Sequence, residues 1–105
     1  MDLNDIRDQV YSDACEHGLW RPDHTIRDAA QMVRAEAMEL LQEAEKGGVT
    51  DALCEELADV VIMCFSLAGL FGIDICRWIW YKIGKNMRRP WRHEGEKHEE
   101  DSDAV

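Results

Sequence analysis

Two pairs of acidic residues constrain the fold of this chain more than any other feature. Glu36 and Glu39 form the first pair, Glu56 and Asp59 the second, and the members of each pair are three residues apart. Residues at this spacing share one face of an α-helix. On neighbouring antiparallel helices the two faces would converge into a pocket of four carboxylates, which suits Mg²⁺ or Mn²⁺. The sequence therefore predicts a helical domain built around an acidic metal site.

Asp59 is the acid for which a purely structural role is the poorest explanation. Aspartate is a weak helix former, and this one directly precedes the apolar stretch VVIMCFSLAGLF, where an unpaired charge is costly. We therefore expect it to have a cation or a hydrogen-bond donor as partner. The glutamates, taken singly, are typical of solvated helix surfaces. Di-iron bundles also line a core with acids, but they use Glu-x-x-His pairs, and neither pair here ends in histidine.

Hydrophobic periodicity predicts helices throughout the chain and no strands. The predicted helices cover about residues 4–17, 26–46 and 51–71, with a fourth from Asp74 to about Arg89. Their predicted stops are Gly18, Gly47–Gly48, Gly72 and Pro90, and the predicted caps are Thr25, then Thr50 or Asp51, then Asp74. The third helix is almost wholly apolar after its acids and should be central. Short links between four helices predict an all-α, four-helix antiparallel bundle.

Composition narrows the class of protein. With 105 residues the chain is one domain, predicted at 1–93, followed by an acidic and disordered tail at 94–105. A net charge of −10 argues against a nucleic-acid or anionic-membrane partner. Four widely spaced cysteines match no metal motif. The first residues, MDLNDIRDQV, lack the apolar stretch of a signal peptide, and the apolar run at 60–73 is shorter than a bilayer-spanning helix requires. These features predict a cytoplasmic protein with reduced thiols.

A basic face is predicted near the end of the fourth helix. Its members are Lys82, Lys85, Asn86 and Arg89, and Arg88, Arg92 and His93 extend it. Such a face suits phosphate oxygens. The preference of a helix C-terminus for cations would also account for part of it, so both explanations stay open.

Trp20 lies on the link between the first two helices. Its large ring can anchor the link against the core, and it can also stack on a nucleobase. The other large aromatic residues are better explained as core or interface.

Together these motifs resemble the MazG-like all-α nucleoside triphosphate pyrophosphohydrolases. The resemblance rests on a Glu-x-x-Glu motif that is followed, after 16 intervening residues, by a Glu-x-x-Asp motif. It also rests on the segments ELADVVIMCFSLAGLFGIDI and KIGKNMRRPWRH, which occur in the family's order. It covers residues 17–93, and the ending RPWRHEGEK is similar to that of small phage and bacterial relatives. One departure is Ala35, where many relatives carry a further glutamate. This leaves the number of metal ions and the identity of the general base open.

The resemblance implies hydrolysis of (deoxy)nucleoside triphosphates between the α and β phosphates. Two or more Mg²⁺ or Mn²⁺ ions would be held by the four catalytic acids, Glu36, Glu39, Glu56 and Asp59. It also implies substrate-binding residues: His17 and Trp20 near the base, and Lys82, Asn86 and Arg89 at phosphate or sugar. Dimerisation would complete the bundle, in a homodimer or in a homotetramer built as a dimer of dimers.

A purine such as dGTP is the favoured substrate, and pyrimidines stay open. The alternative from another class is a non-catalytic helical dimer that binds a nucleotide or a partner and acts as a sensor. A redox metalloprotein is a third hypothesis, which predicts bound iron.

Overall fold

The computed structural model describes residues 1–90, which form four α-helices and no strand. The helices are α1 (Leu3–Glu16), α2 (Ile26–Ala44), α3 (Asp51–Leu70) and α4 (Ile75–Met87). The predicted all-α class is confirmed, and each helix end lies within two residues of its predicted position. The predicted disordered tail at 94–105, with Arg92 and His93, lies outside the described residues.

Side-chain caps explain why α2 and α3 begin where they do. The Thr25 hydroxyl accepts a hydrogen bond from the Asp28 N–H at 3.1 Å, and the Asp28 carboxylate accepts one from the Thr25 N–H at 2.9 Å. At α3 the Thr50 hydroxyl accepts from the Leu53 N–H at 3.1 Å, so Thr50 is the cap of this helix. After α3, Gly72 has φ of 63°, the left-handed conformation expected of a helix stop.

Residues 1–75 form one compact unit in which α3 is central and packs against both α1 and α2. Ala29 on α2 and Ala68 on α3 are fully buried. Gly69 lets α1 approach closely, because an added Cβ at this position would lie only 2.8 Å from Cγ of Tyr11. The predicted central position of α3 is confirmed. The described residues from Cys76 to Pro90 belong to a second unit, which is described by itself.

The link between α1 and α2 is anchored to α3 by Trp20. Its indole Nε1–H donates to the Ser66 hydroxyl at 2.8 Å, and Ser66 is only 1% exposed. The predicted anchoring role of this tryptophan is therefore seen in the structure. At the other end of α1, Arg7 donates to the Ile73 carbonyl at 2.7 Å, which holds the turn after α3 in place.

The apolar character of α3 exceeds what residues 1–75 bury. Leu57, Val61 and Ile62 keep about half of their surface exposed, at 52%, 46% and 48%. Val61 and Ile62 begin the C-terminal half of this helix, so its almost completely buried residues, Ser66 and Ala68, lie only toward the C-terminal end. Among residues 1–90, no single helix is long and apolar enough to cross a membrane, and α3 and α4 meet that test only when counted together.

Candidate functional site

Three of the four predicted acids meet between α2 and α3. Glu36 on α2 and Glu56 and Asp59 on α3 each offer a carboxylate oxygen, and the three oxygens lie within 4.8 Å of one another. The helical spacing brings Glu56 and Asp59 to one face, and the packing of α2 against α3 adds Glu36. This spacing of oxygens is short enough for one divalent cation to contact all three.

Glu39, the fourth predicted acid, lies beside this group of three. Burial raises the pKa of Glu36 above its ordinary value, and a hydrogen bond with Glu39 and the charges of Glu39, Asp59 and Glu56 add to the effect. Burial also raises the pKa of Glu56, and the negative charges of Glu39 and Asp59 raise it further. All four acids therefore act on one another electrostatically.

Glu56 carries the clearest sign that the cluster is compatible with a bound cation. Its Oε2 atom is buried and has no hydrogen-bond partner. A buried carboxylate oxygen without a donor costs free energy, and a neighbouring carboxylate makes the cost larger. A divalent cation would satisfy this oxygen and remove the repulsion. The donor set, made entirely of carboxylates, fits a hard ion such as Mg²⁺ or Mn²⁺.

Glu43 flanks the cluster at the C-terminal end of α2. Its side chain is only 19% exposed, and its Oε2 atom accepts from Nζ of Lys46 at 2.9 Å. Its charge contributes to the raised pKa of Glu56, so it lies within electrostatic reach of the site. Since Lys46 already balances Glu43, this fifth acid is not equivalent to the other four.

An open pocket of about 420 Å³ lies between α1 and α3. Its walls are largely apolar and are formed by Val10, Asp13, Ala14, His17, Leu19, Ile62, Met63 and Ser66. His17, predicted near the base, is in this lining. Trp20 is not, but its indole holds Ser66, which forms one wall. Asp13 was missed by the sequence analysis, although it stands one helical turn before His17.

The pocket continues the face of α3 that carries the acids. Met63 follows Asp59 by four residues and Ser66 follows it by seven, so all three lie on one side of the helix. At 1.5 Å per residue, Met63 and Ser66 lie roughly 6 and 10 Å farther along the axis than Asp59. A charged site and an apolar pocket are therefore neighbours on one rigid helix.

The predicted basic residues belong to the second unit. Lys82, Lys85 and Asn86 lie on α4 and Arg89 follows its end, and all four are partly buried. Nζ of Lys85 lies 5.7 Å from the ring centre of Tyr81, as in a cation–π contact. Phosphate binding by Lys82, Asn86 and Arg89 stays a prediction, because these residues and the acids belong to separate units.

One comparison with known proteins finds a family. The sequence pattern of the MazG-like family matches residues 29–104, a segment that contains all four acids. Asp13, His17 and Trp20 precede the matched segment. No curated protein and no solved structure matches the chain.

Proposed function

The chain belongs to the MazG-like family, which suggests a nucleotide pyrophosphatase type of function, and we propose that it hydrolyses (deoxy)nucleoside triphosphates to monophosphate and pyrophosphate. The observation that carries this proposal is the convergence of Glu36, Glu56 and Asp59 around an unpartnered carboxylate oxygen. A group of acids with this much mutual repulsion is costly to the fold, and binding of a cation with its substrate explains why it is present.

The chemistry follows from the charges. A triphosphate is strongly negative, so carboxylates alone would repel it. Mg²⁺ or Mn²⁺ held by Glu36, Glu39, Glu56 and Asp59 would neutralise the phosphates and make a water molecule more acidic. In the overall reaction the water oxygen bonds to the α-phosphorus and gives up a proton to solvent, while the bond from this phosphorus to the α–β bridging oxygen breaks and pyrophosphate leaves.

We propose that the nucleobase binds in the pocket between α1 and α3. Its volume of about 420 Å³ and its apolar walls suit a nucleobase with part of the sugar. We propose a purine nucleotide such as dGTP as the favoured substrate, with His17 in the pocket wall. Lys82, Asn86 and Arg89 are proposed to bind phosphate or sugar.

Self-association is part of the proposal. The exposed apolar side chains of α3, among them Leu57 and Val61, would be covered in a homodimer or homotetramer. Sedimentation equilibrium at several protein concentrations measures this directly. A monomer at all of them would contradict the proposal.

The test of the activity is pyrophosphate release from the eight common ribo- and deoxyribonucleoside triphosphates, with Mg²⁺, with Mn²⁺ and with a chelator. We expect monophosphate and pyrophosphate in the presence of either metal and none with the chelator. Asp59→Asn should abolish turnover, whereas Glu45→Gln, which changes an exposed acid after α2, should not. Nucleotide binding without turnover would contradict the enzyme and support the non-catalytic dimer.

A further inference from the structure

Three polar residues line the pocket between α1 and α3, namely Asp13, His17 and Ser66. Asp13 presents a carboxylate, of which Oδ1 accepts one bond from the Gln9 amide at 3.0 Å. Each carboxylate oxygen has two acceptor positions, so this bond leaves most of the capacity of Asp13 available.

His17 adds a second acceptor. Its Nδ1 atom lies 2.8 Å from the backbone carbonyl oxygen of Asp13. A carbonyl oxygen can only accept, so the proton of this bond is on Nδ1. In the neutral ring the other nitrogen, Nε2, is then unprotonated and accepts hydrogen bonds.

Ser66 offers almost no surface to a ligand. Its hydroxyl accepts the Trp20 indole N–H at 2.8 Å, and its side chain is almost completely buried. The remaining walls, from residues such as Val10, Leu19 and Met63, are apolar. A ligand in this pocket therefore meets acceptors on its α1 side and apolar surface elsewhere.

We propose that this pocket selects nucleotides whose base carries an exocyclic amino group, and that Asp13 is the specificity-determining residue. The inference rests on the proposed function and names its substrate class. Guanine can donate both its ring N1–H and its 2-amino group to a carboxylate, and cytosine and adenine can donate an amino group. Uracil and thymine instead present carbonyl oxygens on both sides of a single N–H, and these oxygens repel an acceptor.

The position of Asp13 supports this assignment. Asp13 lies on α1 four residues before His17, the residue that follows the end of this helix, so both face the same side. The opposite wall, formed by Ile62 and Met63, follows Asp59 along α3 by about one turn. A nucleotide with its phosphates at the acids can therefore place its base between these walls. Because the α1 wall precedes the segment matched by the family, the family match does not account for it.

The experiment uses pairs of substrates that differ mainly at the amino group. The pairs are dCTP against dUTP, and dGTP against dITP, each measured as kcat/KM with the full chain and Mg²⁺. We expect the amino member of each pair to be favoured by about tenfold or more, the size of one good hydrogen bond to a charged acceptor. Asp13→Asn should bring both ratios close to one, because an amide donates as well as accepts.

Glu16→Gln is the matched control, since it removes an exposed charge from the same helix outside the pocket lining. It should leave both ratios unchanged. Thermal unfolding of the Asp13→Asn protein should be close to that of the wild type, because asparagine can still accept from Gln9. If both variants shift the ratios equally, general electrostatics explains them and the role of Asp13 is wrong.

Failure of this inference is distinguishable from failure of the proposed function. Turnover of all four nucleotides at equal kcat/KM would overturn the inference and leave the hydrolase intact. If no nucleotide is hydrolysed, the proposed function fails, and calorimetric binding of dCMP and dUMP then decides the inference. Tighter binding of dCMP, lost in Asp13→Asn, would support it, and equal or absent binding would overturn it.

Discussion

The two halves of α3 differ in burial and in whether their polar groups have hydrogen-bond partners. The N-terminal half carries Glu56 and Asp59 and has no fully buried residue, whereas the C-terminal half has Ser66 and Ala68 almost completely buried. In the C-terminal half Ser66 pairs with a hydrogen-bond donor, while at the acids a buried oxygen of Glu56 lacks one. One helix thus joins a region that stabilises the fold to a region that is held at a cost to it.

The largest expected effect comes from removing an acid in the N-terminal half. Glu56→Ala should lower metal-dependent hydrolysis by at least about 100-fold, roughly 2.7 kcal/mol, because it removes one of the proposed metal ligands. In chelator its free energy of unfolding should be no lower than that of the wild type, since the mutation also removes repulsion. Pyrophosphate release and urea unfolding measure the two effects.

Glu45→Gln is the control for this prediction, because it lowers the negative charge outside the cluster. A Glu56→Ala protein that unfolds more easily than both the wild type and this control would show that the acids support the fold. The contrast between the two halves of α3 would then be wrong.

The C-terminal half gives the next largest effect. Gly69→Ala should destabilise the protein by about 1–3 kcal/mol, because the new Cβ would crowd the Tyr11 ring. Gly84 on α4 is the matched control: its Cβ would meet only Nη1 of Arg88, at 3.9 Å. Gly84→Ala should therefore stabilise by up to about 1 kcal/mol through helix propensity. Urea unfolding of both variants measures the difference, and equal effects would contradict the close packing at Gly69.

These residues also show what could be predicted from the sequence. Hydrophobic periodicity and capping residues located the helices correctly. The apolar spacing, the Thr25 cap and the Gly72 stop each depend only on residues that are close in the sequence. The three-residue spacing within each pair of acids placed Glu36 and Asp59 on helix faces that could meet. It could not show that Glu39 stands beside the closest group, because side-chain distances depend on how α2 packs against α3.

Two features escaped sequence reasoning for the same reason. The exposure of Val61 depends on which neighbours cover α3, and no local pattern reports that. Asp13 was missed because a single acid on α1 forms no recognisable motif with its sequence neighbours. Only the fold brings it to the same pocket as Ile62. Its spacing from His17 was the available signal.

The pH dependence of the melting temperature should show the cost of the acids in the N-terminal half of α3 without any measurement of activity. The raised pKa values of Glu36 and Glu56 mean that the folded protein binds protons more tightly than the unfolded chain. Their contribution favours folding below the ordinary value of 4.5 and is lost as pH rises through the raised pKa values. In chelator, the melting temperature of the wild type should therefore fall over this range relative to that of Glu56→Gln.

Added Mn²⁺ should reverse this loss at neutral pH. At a concentration of 100 times its Kd the ion would stabilise by about 2.7 kcal/mol, and much less where the acids are protonated. A pH profile of Glu56→Gln parallel to that of the wild type would contradict the raised pKa of Glu56.

The smallest expected effect tests the satisfied hydrogen bond of the C-terminal half. Ser66→Ala removes the acceptor of the Trp20 indole and should cost about 1 kcal/mol of unfolding free energy. Trp20→Phe removes the donor, so adding Ser66→Ala to that variant should cost almost nothing further. The double-mutant cycle in urea measures this coupling. Additive costs would mean that Ser66 acts through packing alone, and the two halves of α3 would then differ in shape and not in how their polar groups are satisfied.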